Sequence, residues 1–183
     1  VVGSSPDDPP IALFVGGAFF ANVQGLMWFS KEVAPRFPCQ LVVVGKGFEE
    51  HREVLEENGR ITVIGTVDRL HEWYSRASFM VSPILSGSGM KTKTAEAAKY
   101  GRPVIGTPEA FVGYEEYKDV LGVVCESPDQ FIESARKVLN GELAFDPAVI
   151  RAVYEKSYSL TAASQRMHEI LESVRPSGER IGS

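Results

Sequence analysis

A doubly wound α/β fold, with about six parallel strands covered by helices on both faces, is what this sequence predicts. Short, nearly unbroken Val/Ile/Leu/Phe runs alternate with longer amphipathic stretches. Runs without polar alternation mark strands buried on both faces, as in parallel sheets. Glycines follow the runs, where a strand must turn sharply into a helix. With 183 residues the chain is long enough for one domain and little more.

The elements can be assigned in order. Ile11-Ala12-Leu13-Phe14-Val15 is a buried strand ended by Gly16-Gly17. From Asn22 to Phe37 the residues Val23, Leu26, Met27, Phe29, Val33 and Phe37 recur mostly at three- and four-residue steps, the period of a helix. Leu41 to Val44 is a second strand, stopped by Gly45 and Gly47. Glu49 to Asn58 reads as a helix closed by Gly59. Ile61 to Ile64 is a third strand, and Asp68 is placed to cap a short helix through Tyr74. Phe79 to Val81 is a fourth strand, whose loop leads into a helix from about Met90 to Tyr100, closed by Gly101. Pro103 to Ile105 and Leu121 to Val124 are strands five and six. Ser127-Pro128-Asp129-Gln130 has the capping-box pattern with Pro at the first helical position, so a helix runs from there to Leu139. Asp146-Pro147 opens another, and a last helix runs from about Leu160 to Val174.

Residues 1–10 read as a linker or loop, residues 11–175 as the domain and residues 176–183 as a frayed polar tail. The start reads as a linker rather than a true beginning.

Composition excludes several classes. Hydrophobic residues make up 44% and charged residues 23%, too apolar a balance for disorder. A net charge of −5 argues against a general nucleic-acid binder. Cys39 and Cys125 form no C-x-x-C pair and have no histidine at ligand spacing, so they read as small buried hydrophobes in a reducing compartment rather than as metal ligands. The longest weakly polar run, Ile11 to Val23, is too short to span a membrane and holds Gly16, Gly17 and Asn22. No secretory signal opens the chain; the expected location is cytoplasmic. G-x-G-x-x-G, Walker A, H-E-x-x-H and G-x-S-x-G patterns are all missing. His51, His71 and His168 are scattered and read as surface residues.

In a doubly wound sheet the loops beyond the carboxyl ends of the strands hold the ligand, and three features there can carry chemistry. Gly16-Gly17 after strand one either makes a tight turn or lets backbone N–H groups approach a phosphate. Ser86-Gly87-Ser88-Gly89-Met90-Lys91-Thr92-Lys93 after strand four places two lysines at a helix start, against the helix dipole. A bound anion would remove that conflict, and amides, hydroxyls and ammonium groups together suit a diphosphate. Glu96, set among Ala95, Ala97 and Ala98, is either an ordinary helix glutamate or a carboxylate that accepts from two ribose hydroxyls, as acidic residues do in dinucleotide folds.

The run Val81-Ser82-Pro83 through Gly87-Ser88-Gly89-Met90-Lys91-Thr92-Lys93, Glu96-Ala97 and Gly101-Arg102-Pro103-Val104-Ile105 resembles the donor-binding signature of group-1 glycosyltransferases of the GT-B fold. Phe14-Val15-Gly16-Gly17 with Asn22 and Gly25, Leu41 to Gly45, and Gly65-Thr66-Val67 with Leu70 and Tyr74 match in order. The resemblance spans about Ile11 to Gly113. It implies the C-terminal half of such an enzyme, binding a nucleoside-diphosphate sugar for transfer, with retention, to an acceptor hydroxyl. By the same resemblance Glu96 holds the ribose. Gly16 and Gly17 meet the diphosphate through backbone N–H groups, Ser88, Gly89, Lys91 and Lys93 complete that site, and backbone near Val67 holds the base.

No metal or other cofactor is implied. The partners implied are the donor and an N-terminal acceptor domain, without which the chain is expected to be inactive. Two departures stand out. Gly17 and Asn22 occupy the positions of a common Arg–Lys pair, and Ser88 stands where relatives carry the first glutamate of a pair. These departures keep a non-catalytic binding module open beside the enzyme reading. A nucleotide-sugar epimerase on the same fold is a further alternative, although the additional acidic and His groups it would want find no place in the sequence. No catalytic residue is assigned, and the base, sugar and acceptor (a glycan or a lipid) are unspecified.

Overall fold

Six strands form one parallel sheet in a computed structural model that describes residues 9–87 and 89–173. They are β1 (Ile11–Val15), β2 (Gln40–Val44), β3 (Ile61–Gly65), β4 (Ala77–Ser82), β5 (Val104–Gly106) and β6 (Gly122–Val124). Their order across the sheet is β3-β2-β1-β4-β5-β6, every neighbouring pair parallel. The chain winds outward from β1 to β3, returns to lay β4 on the other side of β1, and winds outward again. This is the expected doubly wound, Rossmann-like sheet, with its switch point between β1 and β4.

The helices are α1 (Phe20–Glu32), α2 (Arg52–Glu56), α3 (Leu70–Arg76), α4 (Thr92–Lys99), α5 (Lys118–Leu121), α6 (Pro128–Leu139), α7 (Pro147–Ser157) and α8 (Leu160–Ser173). Although the strands are largely apolar on both faces, their alternate side chains enter two separate cores. Ala12, Phe14, Leu41, Val43 and Phe79 pack with Leu26 and Phe29 of α1, Leu55 of α2 and Phe131 of α6. Leu13, Val42, Val44 and Met80 pack with Tyr74 of α3, Ala97 and Ala98 of α4, and Ile150 and Val153 of α7. Cys39 and Cys125 are buried free thiols in the first core, and burial raises the Cys39 pKa to about 12.

Several boundaries differ from those expected. The helix expected over Asn22 to Phe37 starts at Phe20 and ends at Glu32. Beyond it a 3-10 turn, Ala34–Arg36, carries Pro35, which has no N–H to continue the ladder. The single helix expected over Glu49 to Asn58 is a 3-10 turn, Phe48–His51, followed by the short α2. Asp68 caps nothing: α3 follows Arg69 and has no side-chain cap. Leu121 ends α5 rather than opening β6. Gly122 begins that strand because a Cβ there would fall 1.8 Å from the Val104 carbonyl oxygen. The helix expected from Met90 begins at Thr92, which leaves Lys91 at the cap position.

Other expectations hold. Ser127 Oγ accepts from Gln130 N at 3.3 Å and Asp146 Oδ1 from Ala148 N at 2.7 Å, as their sequence patterns require. Residues 1–8, the tail over 176–183, Ser88 and Val174 lie outside the described residues.

Candidate functional site

The turns after β1 to β5 gather at the carboxyl edge of the sheet, and the crevice at the β1–β4 switch point is lined by residues that pack too closely for side chains. Gly45, at φ +150, would drive a Cβ to 1.8 Å from the Gly16 carbonyl oxygen. Gly25 of α1 would meet the Pro83 carbonyl oxygen at 2.0 Å. Only glycine lets the β1 turn lie on the β2 turn and lets α1 lie on the loop after β4.

Gly16 and Gly17 do not contribute alike. Gly16 N donates to Val44 O at 3.0 Å, which extends the β1–β2 ladder by one bond and commits its N–H. This corrects the expectation that Gly16 offers its amide to a phosphate. Its carbonyl side and lack of Cβ remain what allows the close approach. No described hydrogen bond uses the Gly17 N–H. Gly17 O accepts from Asn22 Nδ2 at 2.7 Å, and Asn22 Oδ1 accepts from Lys93 Nζ at 2.6 Å. A relay therefore runs from the β1 turn, through α1, to the first turn of α4. In the sequence Asn22 reads as a matching position and as a departure from a common Arg–Lys pair, but nothing there joins it to a lysine 71 positions away.

Lys93 is turned inward. Its ammonium lies 4.6 Å from the centre of the Phe14 ring and 3.5 Å from where a Cβ on Gly16 would be. Among the described residues no carboxylate lies within ion-pair distance of it. Burial first, and the nearby charge of Lys91 second, lower its pKa to about 8. The amine thus sits beneath the glycine turn, desolvated and without a counter-charge.

Lys91 is also drawn in. Its Nζ meets Glu109 Oε1 at 2.8 Å and Gly89 O at 2.8 Å, and its side chain is only 13% exposed. Glu109 belongs to the turn after β5, a segment from which no site residue was expected. That turn is tied to α4 at two further points. Thr94 Oγ1 donates to Ala110 O at 2.7 Å, and the Tyr114 hydroxyl donates to Lys91 O while accepting from Ala95 N. The phenol is thus inserted into the first turn of α4, between a carbonyl and an amide that would otherwise bond each other.

Helix ends supply the remaining donors. The caps of α6, α7 and α8 are Ser127, Asp146 and Ser159. In contrast, α1 and α4, which start at the crevice, have no side-chain cap and no acidic residue in the first turn. Apart from Thr94 N, which donates to Lys91 O at 3.0 Å, their first amides are left without intrahelical partners, and each dipole presents its positive end.

A pocket of about 240 Å³ opens between Gly16-Gly17, Gly45-Lys46 and Thr66-Val67. Structure therefore brings Gly16, Gly17 and Val67 around one space and links them to Lys93 by the relay. Gly89, at φ +70, and Lys91 stand on the other bank, in the loop before α4. Ser88 lies outside the described residues. Glu96 is half-buried one turn into α4, beside Tyr74 of α3. Among the described residues no three His, Cys, Asp or Glu side chains converge as metal ligands would. No described helix is long and apolar enough to cross a membrane.

Known proteins repeat this architecture. The lipopolysaccharide outer core galactosyltransferase WaaB superposes with a TM-score of 0.68 at 19% identity, over 94% of this chain and 52% of that one. HepE of Anabaena, solved in complex with UDP, gives 0.72 at 13% identity, over 90% and 49%. Sucrose-phosphate synthase of Thermosynechococcus elongatus gives 0.70 at 21%, over 92% and 46%. The chain spans about half the length of these structures, and at such identities the likeness concerns the fold. No protein of curated function matches the chain in sequence. The model of the family described as glycosyl transferases group 1 matches residues 9–141, well over half of the chain. The chain is therefore a member of the group 1 glycosyltransferase family.

Proposed function

We propose that this domain is the donor half of a glycosyltransferase and that it binds a nucleoside-diphosphate sugar in the crevice at the switch point. One observation carries the reading: two helix N-termini without side-chain caps, the Gly17 amide and the desolvated Lys93, which no described carboxylate pairs, converge there. Such a cluster disfavours the empty site and suits a diphosphate. Backbone around Val67 would face the base and Glu96 would accept from the ribose hydroxyls. Gly89 and Lys91, with Ser88, would border the sugar-proximal phosphate. HepE of Anabaena, which shares this fold, was solved with UDP and with UDP and glucose, which supports a nucleotide as the class of ligand.

In transfer, the bond between the anomeric carbon and the diphosphate breaks and the acceptor oxygen bonds that carbon as its hydroxyl loses a proton. Charge grows on the departing diphosphate. Fixed amides and a lysine already aimed at it stabilise that charge without reorganising. The acceptor and any group that receives its proton belong to a second domain, so the chain alone binds donor but does not turn over, and the intact enzyme retains the anomeric configuration.

Thermal unfolding with UDP, GDP and ADP tests the reading. A ligand at one hundred times its Kd adds about 2.7 kcal/mol, or roughly 5 °C for a domain of this size. A shift from one base, abolished by Lys93→Met, is the expected result. Equal Tm values with every nucleotide would remove the donor-site assignment.

A further inference from the structure

Tyr74 is 0% exposed, and its hydroxyl is buried without a hydrogen-bond partner. Buried hydroxyls nearly always find one, since an unmade bond forfeits the hydration of the unfolded chain. The ring is fixed in place by Tyr100, stacked with centroids 4.3 Å apart and planes 12° from parallel. Tyr100 follows Glu96 by one helical turn, so both lie on the face of α4 that meets Tyr74. After burial, the charge of the Glu96 carboxylate and its approach toward hydrogen bonding push the phenol pKa upward, although the pair falls short of hydrogen-bond geometry and the hydroxyl has no bonded partner.

We propose that Tyr74 is a positioning residue for Glu96, its hydroxyl donating to one carboxylate oxygen when a nucleotide is bound and so aiming the remaining lone pairs at the ribose. This rests on the reading of Glu96 as the ribose acceptor. An ionised carboxylate has about four acceptor positions, enough for one phenol and two ribose hydroxyls. Because Glu96 is half-buried, solvent serves it in the free chain. A ribose that displaces this solvent leaves Tyr74 as the protein donor at hand. The bond is then made in the bound state only, and it strengthens binding without having stabilised the fold.

That split between affinity and stability gives the test. The full 183-residue chain, its Tyr74→Phe and Glu96→Ala variants and the double variant are titrated calorimetrically with UDP, GDP and ADP and with their 2′-deoxy counterparts. The wild type should prefer the ribonucleotide by about tenfold, as loss of a hydrogen bond to a charged group implies. Tyr74→Phe should reduce that preference to about twofold, with Tm unchanged or higher because an unbonded buried hydroxyl has gone. In the Glu96→Ala background the same change should add nothing. Full ribose preference in Tyr74→Phe, or a Tm several degrees lower, would overturn the proposal. A wild type that binds both sugars equally would instead refute the Glu96 assignment on which it rests, and one that binds no nucleotide would refute the donor site itself.

Discussion

Lys93 is the residue on which the electrostatics of the crevice turns. Its lowered pKa, about 8 against the ordinary 10.5, means that folding holds an amine where charge is disfavoured. The folded protein releases this proton before the unfolded chain does. Stability should therefore rise with pH between about 8 and 10.5, and below 8 the full penalty applies. Lys93→Met should accordingly stabilise the ligand-free chain at pH 7, by about 1–3 kcal/mol after allowing for partial exposure, which chemical denaturation would show. A bound diphosphate reverses the preference and raises the pKa. Binding should then take up a proton near pH 8, seen as a calorimetric enthalpy that depends on the buffer, and affinity should fall as pH climbs through 8. Glu109 has the opposite role, since it neutralises Lys91 at 2.8 Å. Glu109→Gln should free that charge and tighten nucleoside diphosphate binding, by about three- to tenfold; weaker binding in this variant would mean that the pair is needed for loop geometry instead.

The loops and helix starts show what the sequence could and could not convey. Strands, the glycine turns, and Ser127 and Asp146 as caps were all legible, because each is a local pattern or a property of strand ends. The partners of the lysines were not. Asn22 and Lys93 meet across the β1–β4 neighbourhood, and Glu109 and Tyr114 reach α4 from the turn after β5; such contacts follow from strand order, not from spacing. The start of α4 was misplaced by two residues for a related reason, since Tyr114 rather than a local side chain completes its first turn. Close approach between elements is tested by Gly25→Ala. Its Cβ would lie 2.0 Å from Pro83 O, so α1 must move away from the loop after β4. A loss of about 2–4 kcal/mol in urea denaturation is expected, with weaker nucleotide binding because α1 carries Asn22.

At the scale of the whole molecule, the two cores lie on opposite faces of one sheet and share its strands, so they should unfold together. Phe29, fully buried among Phe37 and Phe131, anchors the first. Phe29→Ala should cost about 3–5 kcal/mol and lower one cooperative transition rather than split it. The far end of the chain behaves differently. Leu160, Met167 and Ile170 of α8 are 87%, 59% and 58% exposed, and Met167→Lys should change stability by less than about 0.5 kcal/mol. The placement of the lysines has a further consequence, for the speed of encounter. The chain carries a net charge of −5, whereas the cations that would greet a diphosphate are recessed, one under a glycine turn and one behind a carboxylate. At a distance an incoming anion meets repulsion, and it meets attraction only within the crevice. Added salt should therefore quicken association while hastening dissociation, so that capture depends on ligand abundance rather than on long-range steering.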